Sequence, residues 1–276
     1  MRYNPGMRGF SLVELSIVLV ILGLLTGGIL AGQSLIRASE LRAVTVEEQR
    51  YFTAVESFRD KYFAIPGDFN NATRFWGYLG GTGCTNNAGT AAVSTGVCDG
   101  NGTGVLDAGT TVSTTGESFQ FWRQLASAGL IEGSYTGIAG PGTAWPGNDA
   151  VVGTNVPKSK MNNGGWCVNN QSNYVGQNWV YAADYGNYLE FGGQSTGTET
   201  NAPILKPEEL WNIDTKIDDG KPGTGKVIAH EMGTFTGAAA NKCTTSASQT
   251  DYTGAYNLGV SSFNCSVYFV KAAGGN

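Results

Sequence analysis

Residues 9–36 read GFSLVELSIVLVILGLLTGGILAGQSLI, and this stretch decides the architecture. From Leu15 to Ile36 no residue carries a charge, a run of 22 positions. At ~1.5 Å rise per residue a helix of that length is roughly 33 Å long, the thickness of a bilayer's hydrocarbon core. Arg2 and Arg8 precede the run, so the N-terminus is expected on the cytoplasmic side. A secretory signal has a shorter apolar run that ends in small residues at a cleavage site. Here the run is longer, and helical sequence follows it without a break. Glu14 is the odd residue, a carboxylate inside an otherwise apolar segment. Placing it in lipid costs about 2.5–3.5 kcal/mol even on an insertion scale. It must sit at the interface or meet a partner charge from another chain.

Gly9-Phe10-Ser11-Leu12-Val13-Glu14 resembles the leader junction of type IV prepilins and type II secretion pseudopilins. The resemblance implies cleavage between Gly9 and Phe10 by a prepilin peptidase and N-methylation of Phe10. It also implies that Glu14 meets the N-terminal amine of a neighbouring subunit, which explains why a lone buried carboxylate is kept. DKYFAIPGDF (60–69) and IDTKIDDGKPGTGKV (213–227) are similar to segments of longer pilin-like proteins. The implied partners are further copies or related pilins, the peptidase and an inner-membrane assembly platform. The implied location is the inner membrane first, then a periplasmic or extracellular filament. A plain pilin, a pseudopilin and a minor tip subunit with an adhesive role share every N-terminal feature. The head is long for a pseudopilin, which favours a pilin or minor pilin.

Composition agrees with an extracytoplasmic structural protein. Of 276 residues, 17 are Lys or Arg and 22 are Asp or Glu, a net charge of −5. That balance lacks the basic stripe of a nucleic-acid binder. Charged residues make up only 14%, and 41 residues are Gly, which points to long loops and β structure. His230 is the single histidine, so no histidine-rich metal site or histidine pair exists. No serine stands in a nucleophile-elbow motif, and the chain is read as no enzyme. Gly220 to Lys226 nearly spells a P-loop, but Val227 replaces the hydroxyl residue and the flanking pattern is helix then strand. It is read as a turn.

After Ile36 the helical period continues. Leu41, Val44, Tyr51, Val55, Phe58 and Tyr62 mark one face, and Arg37, Glu40, Arg42, Glu47, Glu48, Arg50 and Arg59 occupy the rest. One helix is expected from about Phe10 to Tyr62, ended by Pro66-Gly67-Asp68. The organisation is then leader 1–9, membrane and polymerisation helix 10–36, amphipathic continuation 37–62, and head 63–276. In the head, a helix is expected from Glu117 to about Leu130, with Thr114 and Glu117 as its capping box. Residues 133–165 read as loop, and Trp145 and Trp166 in loops are candidates for an adhesive or subunit-contact surface. Strands are expected at 178–183, 187–191, 226–230 and 261–270, and a helix from Pro207. The fold class is α+β: a long N-terminal helix on an antiparallel sheet with long loop insertions.

Five cysteines stand apart, with no C-x-x-C pair. Two disulfides among five allow 15 pairings. Loop geometry favours Cys84–Cys98 and Cys243–Cys265, leaving Cys167 free or in an alternative pairing. No cofactor is required by any motif. One calcium loop is a candidate: Asp99, Asn101, Thr103, the Val105 carbonyl and Asp107 follow the oxygen spacing of an EF-hand-like site. Thr110 stands where a bidentate Glu is expected, and Glu117 is the candidate replacement from outside the loop.

Overall fold

The computed structural model describes residues 11–81, 83–107, 116–143, 147–170, 181–183, 185–231 and 242–270. The chain divides into two compact units, Met1–Arg42 and Ala43–Asn276. Helix α1 runs Leu12–Tyr62 as one element of 51 residues. Within the first unit its side chains are largely exposed, Leu12 at 85% and Leu24 at 73%. An apolar helix with nothing packed on it is built for a solvent other than water. The hydroxyls of the apolar run are satisfied internally. Thr26 Oγ1 donates to Leu22 O at 2.8 Å and Ser34 Oγ to Ala31 O at 2.8 Å, so neither opposes burial in an apolar medium.

In the second unit, the expected stripe of α1 is the buried one. Val44, Val55 and Phe58 are fully buried, and Tyr51 is nearly so. Each such side chain stabilises by about 1.5–3 kcal/mol. Glu47 departs from the reading that placed it on the polar face. It is buried, and its carboxylate accepts hydrogen bonds from Ser159 Oγ at 2.6 Å, Lys160 N at 2.8 Å and Trp166 Nε1 at 2.8 Å.

Among the described residues three short helices follow in the head: α2 (Ala72–Trp76), α3 (Glu117–Ser127) and α4 (Pro207–Ile217). Four strands of the described residues, β1 (Gly164–Asn170), β2 (Asn187–Gly193), β3 (Val227–Glu231) and β4 (Cys265–Val270), form one antiparallel sheet in the order β1-β2-β4-β3. The α+β class and the helix-on-sheet layering stand as expected. Pairing Trp166 with Phe191 and Phe191 with Val267 puts one row of side chains on the α1 face. There Tyr51 meets Trp166 and Trp122 edge-on, at ring-centroid distances of 5.5 and 5.0 Å. The adjacent row, Cys167, Glu190, Tyr268 and Ile228, faces the other side, where Tyr181, Tyr185 and Tyr188 complete a second buried cluster.

Some expected elements shift. β1 lies partly in the segment read as loop, and Trp166 is fully buried in it, so it offers no adhesive surface. Residues 181–183 are no strand, and 178–180 fall outside the described residues, as do Trp145 and Thr114. Helix α3 starts from Gly116 as N-cap with no side-chain cap, and ends at Ser127. Two buried glutamines of α3 fasten the neighbouring loops. Gln124 Oε1 accepts from Gly67 N at 2.7 Å, and Gln120 Oε1 from Cys98 N at 2.9 Å.

Candidate functional site

The N-terminal segment is the strongest candidate. Gly9 and Phe10 lie outside the described residues. Glu14 is exposed in the first turn of α1, and its Oε2 accepts the Ser11 N–H at 2.9 Å. Ser11 Oγ in turn accepts the Val13 N–H at 3.3 Å. Serine followed three residues later by glutamate is a helix-start signature, so the spacing Ser11-x-x-Glu14 serves local capping as well as any role between chains. That spacing was readable in the sequence. An 18-residue window of α1 has a mean hydropathy of 2.4, and none of it is buried within the protein. The segment thus combines a capped helix start, one carboxylate and an uncovered apolar surface of membrane-spanning length.

The candidate calcium loop is built differently from the expectation. Asp99 turns away from it: Oδ1 accepts Thr73 N–H at 2.7 Å, and Oδ2 accepts Thr73 Oγ1–H at 2.6 Å and Asn87 N–H at 2.7 Å. Its carboxylate serves the start of α2, so Asp99 does not join the other four. The loop wraps instead around Asp68, which accepts the N–H groups of Gly102 at 2.6 Å, Thr103 at 3.0 Å and Gly104 at 2.8 Å. Asn101 Nδ2 donates to Asp107 Oδ2 at 2.9 Å, and Thr103 Oγ1 lies 3.4 Å from Val105 O. Glu117 accepts the Asn101 and Asp107 N–H groups at 2.8 and 3.0 Å. It approaches the loop as expected, but through backbone donors. Burial pushes Glu117 up to about 7, and the facing Asp68 and Asp107 add to the shift against those two hydrogen bonds. Asp68 stands 34–36 residues from its partners, and Asp99 stands 26 from Thr73 and 12 from Asn87, so spacing alone missed both roles.

Two further groups emerged only in the fold. Asp214, Asp218 and Asp219 bring carboxylate oxygens within 4.8 Å of one another at the end of α4. Burial pushes Asp214 up to about 7, opposed by the Tyr256 hydroxyl, which donates to Oδ2 at 2.8 Å. On the sheet, Glu190 lies between Cys167 Sγ at 3.3 Å and His230 Nδ1 at 3.4 Å, and all three are buried. His230 Nδ1 also lies 2.9 Å from Ser266 Oγ. Burial, then Glu190 and Glu199, pushes the Cys167 thiol well up, which favours the thiol over the thiolate. The cysteines pair as Cys84–Cys98 and Cys243–Cys265, with Cα atoms 5.0 and 5.1 Å apart, and Cys167 stays a free thiol.

An apolar helix of membrane-spanning length ahead of a disulfide-bonded α+β head fits the class of membrane-anchored proteins. Residues 5–30 match the family model of the prokaryotic N-terminal methylation motif, which is the signature of type IV pilins and pseudopilins. That family comprises structural subunits, not enzymes. No curated protein and no solved structure matches the chain.

Proposed function

We propose that the protein is a structural subunit of a type IV pilus-like filament. It is cut between Gly9 and Phe10 by a prepilin peptidase, methylated at Phe10 and assembled through α1. The methylation-motif match at residues 5–30 carries this reading. The uncovered apolar half of α1 supports it, because neighbouring copies bury that surface once the subunit leaves the membrane. Glu14 then exchanges its local cap on Ser11 for the charged N-terminus of a neighbour. Before assembly the subunit is held in the inner membrane, and afterwards it is part of a periplasmic or extracellular filament. Partners are other copies or related pilins, the peptidase and an assembly platform. Cleavage removes Arg2 and Arg8, taking 17 basic residues to 15 and the net charge from −5 to −7.

N-terminal mass spectrometry of assembled protein is the test. A first residue of N-methylated Phe10 is expected, and retention of residues 1–9 rejects the reading. A pseudopilin role shares this outcome. Abundance in sheared surface filaments separates the two, since the pilus reading expects the chain there.

A further inference from the structure

Arg123, on α3, holds two loops apart with one guanidinium. Nη2 donates to Ser94 O at 2.7 Å, and Nε donates to Gly96 O. Nη1 donates to Tyr135 O at 2.7 Å and Thr136 O at 3.0 Å. Between these loops lies a cleft of about 420 Å³, in the size range of ligand sites. Ser94, Thr95, Ser127 and Ser134 line it together with Trp76 and Arg123. None of those four hydroxyls has a hydrogen-bond partner among the described residues. No carboxylate lines the cleft among the described residues, and Arg123 forms no ion pair there. Burial lowers the Arg123 pKa, with no neighbouring carboxylate to offset it. A guanidinium has five N–H donors, and four are used, so one Nη2–H is left.

We propose that this cleft binds an acidic saccharide. The sugar hydroxyls meet the four Ser and Thr hydroxyls, the apolar ring face lies on the Trp76 indole, and the ring carboxylate accepts the remaining Nη2–H of Arg123. Each part answers a feature of the wall. Unpartnered hydroxyls in a concave site suit a polyol, whose groups both donate and accept. An aromatic wall suits the apolar face of a pyranose. A half-buried guanidinium in a cleft lined by no carboxylate among the described residues favours an anion over a cation. A bare phosphate or sulfate is poorly served, because backbone carbonyls take four of the five donors and leave one. A singly charged carboxylate needs no more than that one. The two pairs of carbonyl bonds also hold the walls at a fixed separation, so little is lost in ordering the site on binding.

Saturation-transfer NMR on the full chain in lauryldimethylamine oxide micelles, which carry no sugar headgroup, tests this. The probes are trigalacturonate, sialyllactose and fully methyl-esterified trigalacturonate. Ring protons of at least one acidic probe are expected to take up saturation at about 5 mM, as weak saccharide binding requires. The ester is expected to lose that signal roughly fivefold, since it lacks the charge for Arg123. Ser127→Trp, which fills the cleft from the end of α3, is expected to abolish it with the melting temperature kept. If that variant fails to fold, Ser134→Trp fills the opposite wall. Absence of transfer to both acidic probes overturns the proposal. So does equal transfer to the ester, or a signal that survives in the filled cleft.

Discussion

Glu47 shows how much one side chain of α1 does for the head. Its carboxylate is the common acceptor for Ser159 Oγ, Lys160 N and the Trp166 indole, 112 to 119 residues away in sequence. Removing it leaves the buried Ser159 and Trp166 donors and the part-buried Lys160 N–H unpaired, at a cost of about 1–3 kcal/mol for each buried one. Glu47→Ala is therefore expected to destabilise the head by about 3–5 kcal/mol, and Glu47→Gln by less, since one acceptor oxygen remains. Urea denaturation of a chain starting at Arg37 measures both, and a loss below about 1 kcal/mol for Glu47→Ala contradicts the account. A second residue-scale expectation concerns pH. Glu117 and Asp214 sit at about 7 in the folded protein, raised from ordinary values of 4.5 and 3.8. The folded state thus holds protons that the unfolded chain releases. Their contribution to stability is fullest below pH ~4 and is lost as pH rises through about 7. Asp214→Asn mimics the protonated acid, with its amide still able to meet Tyr256 and Gly220. The melting temperature of this variant should fall less steeply between about pH 4 and 7.5 than that of the parent chain. An unchanged slope refutes the shift at Asp214.

Among the elements, long periodic signals were legible and short ones were not. Helix α1 announces itself over 51 residues because its apolar run and then its stripe repeat at the helical period. Helix α4 carries Pro207 and two glutamates at its start, and these mark a helix by local chemistry alone. Strand β1 reads GGWCVNN, with two glycines and two asparagines in seven residues. The glycines and asparagines outweigh the strand preference of Trp166 and Val168, and pairing with β2 makes it a strand. The candidate site divides the same way. Gly9-Phe10 and Glu14 are contiguous and could be read directly. The Asp68 cradle and the cleft at Arg123 join segments that only the fold brings together. Close approach also sets residue choice in the sheet. A Cβ on Gly192 would stand 2.2 Å from Thr200 O, a backbone atom that cannot swing aside. Gly192→Ala is expected to cost about 1–3 kcal/mol, as overpacking does. The disulfides pin what the sheet does not. Cys243 and Cys265 close a separation of 22 residues, worth about 3 kcal/mol by chain entropy. Replacing both by serine should lower the unfolding free energy by about that much, and non-reducing peptide mapping checks the pairing.

At the scale of the whole molecule, the two units make opposite demands on their surroundings. Ala43–Asn276 contains the sheet, both disulfides and the buried clusters on both sheet faces. Met1–Arg42 holds the apolar run, whose leucines, isoleucines and valines are mostly half exposed or more. Water is a poor solvent for that surface, at about 25 cal/mol for every Å² exposed. A membrane or other copies must cover it, while the head needs neither. A chain that starts at Arg37 should therefore be soluble without detergent and sediment as a monomer, because it keeps the head and lacks the surface that drives association. The full chain under the same conditions should aggregate or require detergent. Glu14→Ala separates assembly from folding. It removes one exposed carboxylate in the first turn of α1 and adds apolar character to the run. Membrane insertion and head stability should be unchanged, with thermal unfolding of the head superimposable on the parent's. Filament yield in an assembly-competent host should fall by at least about tenfold, the effect of losing roughly 1.4 kcal/mol at each subunit contact. Normal yield from Glu14→Ala shows that the carboxylate only caps its helix. Oligomers from the chain starting at Arg37 show instead that the head carries an association surface of its own.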